Sequence, residues 1–139
     1  SIGADEVLHR DVLNEVASLP MGKERWAHGI DTLGGDYLSN LLKQIKSGGG
    51  VSACGLASSD SFSSTVFPFI IRGVSLLGVD SVYIPLSDKQ RIWQRVASDM
   101  KLPNLQNLCE EISLEQTPEY LNRFIQAKVV GRYLVNLHS

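Results

Sequence analysis

The chain has 139 residues, 43% hydrophobic and 20% charged, with 12 glycines. That is globular composition, enough to bury roughly two-thirds of the unfolded surface, and it excludes a disordered segment. A formal charge of −2 without a basic block excludes a general nucleic-acid surface, and no apolar run nears the roughly 20 residues of a membrane span.

The opening residues lack the basic start and apolar centre of a signal peptide. Instead Ser1, Ile2 and Gly3 read as a helix end with its closing glycine, followed by a strand over 6–8. A chain cut from within a larger protein is expected. Val12, Leu13, Val16 and Leu19 predict a helix over 11–19, stopped by Pro20. Residues 26–33 read as a strand. Asp36 is placed to N-cap a helix reaching Ile45, with Leu38, Leu41, Leu42 and Ile45 on one face. Gly48, Gly49 and Gly50 would end it before a strand over 51–54. A polar loop over 58–64 precedes a short helix over 65–72, with Pro68 in its first turn and Gly73 after it. A strand over 74–79 follows. Ser87 or Asp88 caps a helix to Met100, a loop around Pro103 leads to Glu111 and Ile112, a further helix runs to Ala127, and a last strand covers 133–137.

Strands alternating with helices predict an α/β fold with a parallel sheet, and short apolar strands without alternation predict cover on both faces. Ligands of such sheets lie beyond the carboxyl ends of the strands. Three strand ends there share small polar residues with glycine: Asp31-Thr32-Leu33-Gly34-Gly35, Cys54-Gly55-Leu56-Ala57 and Gly78-Val79-Asp80-Ser81. Glycine admits a flat ligand to the backbone, and small polar groups can bond a ribose or carboxamide; the same glycines also serve plain tight turns. Three together favour a site.

Other features carry less. Gly48, Gly50 and Ala53 match the spacing of a dinucleotide fingerprint but end a helix instead of opening one, so the match is rejected. Cys54, at a strand end, can be a reactive thiol but reads first as a small buried hydrophobe. With Cys109 distant, there is neither a disulfide framework nor a zinc knuckle, which fits a reducing cytoplasmic setting. His9, His28 and His138 have no ligand spacing, so no metal is expected. Glu110-Glu111 reads as a solvated pair. Arg10 can meet an anionic ligand or serve as a surface arginine; the sequence leaves both open.

The runs 29–35 (GIDTLGG), 38–42 (LSNLL), 49–57 (GGVSACGLA), 65–74 (TVFPFIIRGV), 77–82 (LGVDSV) and 131–135 (GRYLV) resemble one branch of the medium-chain dehydrogenase/reductases, the zinc-free acrylyl-CoA reductase and quinone-oxidoreductase-like group. The resemblance covers nearly the whole chain in order. It implies a partial, doubly wound, mainly parallel Rossmann sheet without its first two strands over 1–110. Residues 111–139 would be a return segment whose helix and strand belong to a GroES-like domain. It also implies NADP(H) as cofactor and hydride transfer to an activated alkene, either an acrylyl-CoA-like enoyl thioester or a quinone. Arg10 and Leu56 would lie toward the adenosine, Ile70 and Ser81 toward the nicotinamide, with the Gly55 and Val79 backbones alongside. No catalytic residue is assigned, and a homo-oligomer is expected. The rival reading is a non-catalytic Rossmann-like binding or oligomerisation module. A methyltransferase-type domain would need a glycine-rich loop after its first strand, which is not found.

Overall fold

The computed structural model describes residues 3–126 and 128–137, with the backbone alone at Gln106. The readings made at Ser1, Ile2, Ala127 and His138 lie outside the described residues. The residues divide into two units: Asp5–Ile84, and a second from Pro85 onward that includes Gly3 and Ala4.

In the first unit, strands β1 (Trp26–Asp31), β2 (Ile45–Ala53) and β3 (Ser75–Gly78) form a parallel sheet in the order β1-β2-β3. Helices α1 (Gly35–Leu42) and α2 (Phe67–Arg72) make the two crossovers. Leu38 and Leu42 are one turn apart on α1, so both point the same way. They meet Ile45, Val51 and Val74, with Trp26, Leu41, Phe69 and Leu76 packed around them.

The register aligns Gly29, Val51 and Leu76 in one cross-strand row and Ile30, Ser52 and Leu77 in the next. Adjacent rows face opposite ways. The first row carries the core; in the second, Ile30 is 79% and Leu77 57% exposed. The expected cover on both faces is therefore absent among the described residues, because the side chains of α1 and α2 enter a single core.

Four local expectations need correction. Residues 6–8 form no strand: none of the described strands pairs with them, and Val7 is exposed. The segment read as a helix over 11–19 is a 3₁₀ helix, Arg10–Val16, in which Val16 alone is buried. Its end is held from outside, since Lys43 Nζ donates to the carbonyls of Val16 (3.2 Å) and Ala17 (2.9 Å). Helix α1 stops at Leu42, and Gly34, not Asp36, is its N-cap. The buried Gln44 then turns the chain into β2, its carbonyl accepting from the Arg25 and Trp26 amides. Gly48, Gly49 and Gly50 consequently sit inside β2, across from an irregularity in the β1 register.

The second unit opens with α3 (Leu86–Ala97), none of whose residues is buried. Pro85 occupies its N-cap position without a side-chain bond, so the expected caps Ser87 and Asp88 fall inside the first turn. After a 3₁₀ turn at Leu105–Leu108 come β4 (Cys109–Ser113), α4 (Thr117–Ile125) and β5 (Arg132–Asn136), with β4 and β5 parallel. Tyr133 on β5 meets the rings of Tyr120 (4.4 Å between centroids) and Phe124 (5.8 Å) edge-on. Glu110 and Glu111 are exposed as expected but not merely solvated: Tyr120 Oη donates to Glu110 (3.1 Å) and Asn136 Nδ2 to Glu111 (2.8 Å).

Candidate functional site

The register pairs Asp31 with Ala53 and Ala53 with Gly78, so the carboxyl ends of all three strands are level. The turns that leave them are therefore neighbours. Beyond β1, the Asp31 carboxylate is folded back on its own turn. Oδ1 accepts from the Leu33 and Gly34 amides (both 3.3 Å), and Oδ2 accepts from Gly34 (3.0 Å). Asp31 is 5% exposed. At Asp31 the plain-turn reading of these strand ends applies, since its acceptors serve backbone amides.

The loop after β2 lies against that turn. The Cys54 amide donates to Asp31 O (2.9 Å), Ala57 to Thr32 O (3.2 Å), and Ser58 and Ser59 to Leu33 O (2.8 and 3.2 Å). A side chain could not be added without parting the two segments. A Cβ on Gly55 would lie 2.5 Å from the Thr32 carbonyl oxygen, and one on Gly34 would collide with the Ser59 carbonyl. Gly34 also has φ +68, a region that favours glycine. Cys54 is exposed, contrary to the buried reading, and its Sγ donates to Asp31 O at 3.3 Å.

Beyond β3, the Val79 amide donates to Ala53 O (3.0 Å), joining this end to β2. Asp80 Oδ1 accepts from the Val82 (2.9 Å) and Tyr83 (3.0 Å) amides, closing a turn around Ser81. Gly55, Leu56, Val79 and Ser81 are accordingly carried on adjacent strand ends. Leu56 is 67% exposed, and the space a Cβ would fill at Gly78 is open. Ile70 is on α2 and also exposed. Arg10 stacks over the Tyr37 ring at 5.7 Å, which places it at the first turn of α1, the same end of the sheet.

Next to Tyr37 is a polar cleft of about 370 Å³ lined by Asn14, Asp36, Tyr37, Ser58, Ser59 and Ser61. Sequence reasoning took the serines for a plain polar loop; their density between two elements was the available signal. A larger cavity of about 740 Å³ lies farther along α1, near Lys43 and Thr65. Among the described residues no group of His, Cys, Asp and Glu could hold a metal ion. No described helix is long and apolar enough to cross a membrane.

No protein-family model matches the chain. It is 39% identical over 137 residues to a protein of Bacillus subtilis named as a quinone oxidoreductase, YhfP, covering 98% of this chain and 42% of that one. It is 36% identical over 139 residues to the acrylyl-CoA reductase AcuI of Ruegeria pomeroyi, covering 100% and 42%. The crystal structure of B. subtilis YhfP with NAD bound superposes with a TM-score of 0.91 at 40% identity, over 97% of this chain and 41% of that one. The likeness to these reductases runs along essentially the whole chain. E. coli YhdH with bound NADPH likewise matches with a TM-score of 0.85 at 42% identity, over 96% of this chain and 41% of that one. The α/β architecture with parallel sheets agrees with these Rossmann-containing neighbours. The chain spans about two-fifths of the length of the curated relatives it matches.

Proposed function

We propose that this chain is part of an NADPH-dependent reductase acting on an activated alkene, an enoyl thioester of the acrylyl-CoA type or a quinone. The observation that carries the reading is identity of 36–41% along essentially the whole chain to relatives named for those activities. The three level strand ends are its structural counterpart. When bound, the reduced nicotinamide supplies a hydride to the β-carbon of the alkene.

The chain's own residues fit a flat cofactor laid across the strand ends. Leu56, Ile70 and Val79 present uncovered apolar surface (67%, 71% and 51% exposed), and Gly78 leaves space at the β3 end. In this reading Arg10 and Leu56 bind toward the adenosine and Ile70 and Ser81 toward the nicotinamide. The Gly55 and Val79 backbones pass alongside. Residues 1–110 act as the C-terminal part of a Rossmann domain and 111–139 as the return segment toward the substrate domain. A cytoplasmic homo-oligomer completes the proposal.

The test is a steady-state assay of the full-length gene product, following NADPH consumption with acrylyl-CoA and with quinones. Turnover with either class, lost when NADPH is omitted, supports the reading. No turnover with either, by a folded protein, overturns it.

A further inference from the structure

We propose that Asp31 is a positioning residue for cofactor binding, acting through the loop that holds Gly55 and Leu56. This rests on the reading above that Gly55 and Leu56 border the cofactor. The argument is a chain of hydrogen bonds. The Asp31 carboxylate, 5% exposed, binds the Leu33 and Gly34 amides and so sets the path of the turn 32–34. That turn holds the loop after β2 through its carbonyls: Thr32 O takes the Ala57 amide, and Leu33 O takes those of Ser58 and Ser59. Asp31 O adds the Cys54 amide and thiol. Gly55 and Leu56 are thus bracketed on both sides, at Cys54 and at Ala57, by bonds to one turn.

The packing leaves little slack between the two segments. A Cβ at Gly55 would approach three backbone atoms of Thr32 within 2.5–3.0 Å. Movement of Thr32 therefore transmits directly to Gly55. A carboxylate accepting backbone amides makes stronger hydrogen bonds than a neutral acceptor. A buried amide that loses its acceptor cannot be ignored either, so the turn must rearrange if Asp31 is removed. Asp31 itself has no acceptor left over that the geometry directs to a ligand, and its role is indirect.

The experiment uses the full-length gene product with Asp31→Val, which fills similar volume without an acceptor, Asp31→Asn, which keeps one acceptor oxygen, and Gly55→Ala. NADPH affinity is measured by titration, KM for NADPH and kcat by steady-state rates, and the Ala57, Ser58 and Ser59 amides by hydrogen exchange. Asp31→Val is expected to weaken NADPH binding roughly tenfold or more, the scale of one charge-assisted hydrogen bond. KM rises while kcat at saturating NADPH stays within about twofold, since the lost interaction acts on binding. The three loop amides exchange faster, and Asp31→Asn falls between Val and the parent. If Asp31→Val does not fold, the same ordering of parent above Asn carries the test. Undiminished NADPH affinity in the Asp31 variants, with Gly55→Ala weakened, overturns the role of Asp31 alone. Undiminished affinity in Gly55→Ala overturns the placement of the cofactor at this loop, and the proposal with it.

Discussion

At Arg72 one guanidinium closes three backbone carbonyls that no strand or helix satisfies. Nη1 donates to Lys43 O (2.9 Å) and Ile45 O (3.3 Å), and Nη2 donates to Gly22 O (2.6 Å), while Nε lies 3.3 Å from Glu24 Oε1. The side chain is 14% exposed. Replacing it by Met takes the guanidinium's bonds from Ile45 O and Gly22 O, while Lys43 O keeps the Gly22 amide, and Arg72→Met is expected to lower stability by about 2–4 kcal/mol in urea unfolding. Lysine, a single point charge, does not restore the fork. Glu24 beside it has its carboxyl held below the ordinary value of 4.5. The Ser47 amide is the main cause, followed by the Ser47 hydroxyl, with Arg72 and Lys46 adding attraction against a burial cost. A carboxyl depressed by folding contributes stability above pH 4.5 that is lost as pH falls through its folded value. Glu24→Gln should therefore flatten the acid limb of a stability-versus-pH curve; an unaltered limb would refute the assignment. None of this was legible beforehand, because the partners of Arg72 lie 27 to 50 residues away in sequence.

Helix α2 shows what an element can announce locally. Pro68 occupies its first turn and Gly73 ends it at φ +61, with the Gly73 amide donating to Phe69 O. Both signals were readable because each concerns the residue's own backbone. At Gly73 a Cβ would meet nothing within 4 Å, so Gly73→Ala changes only the left-handed conformation. It should cost about 1 kcal/mol, measured as a lower unfolding midpoint. Strand β4 is the opposite case. Its sequence, with Cys109, two glutamates, Ile112 and Ser113, has no apolar run to mark it. It is a strand because all five of its residues pair with β5, more than 20 positions later.

For the chain as a whole, two expectations follow from what its sheet leaves unpaired. Strands β1 and β3 each pair only with β2 among the described residues, and Ile30 on β1 and Leu77 on β3 stand uncovered. Open edges of this kind recruit another chain. We expect a homodimer or larger assembly; light scattering at micromolar concentration that shows one species near 15.3 kDa would rule it out. The second concerns cofactor affinity. The sequence contains no G-x-G-x-x-G fingerprint that follows a strand and opens a helix, so the pyrophosphate lacks its usual anion site. This chain alone should bind NADPH no tighter than roughly millimolar. A low-micromolar constant in calorimetry would contradict that.

By itself the sequence determined the α/β alternation, the core stripe of Leu38 and Leu42, and the three glycine-bearing strand ends. These depend on periodicity and on backbone freedom, which are properties of neighbouring residues. Tertiary structure alone decided where α1 stops, because Gln44 must supply a carbonyl to Arg25 and Trp26. It likewise placed Gly48, Gly49 and Gly50 within β2. It turned the Asp31 carboxylate inward, where the sequence could show only that an acceptor stood at a strand end. Whether such an acceptor meets a ligand or its own turn depends on how closely the next loop packs. That spacing is set by Gly55 against Thr32, a contact between segments more than 20 residues apart.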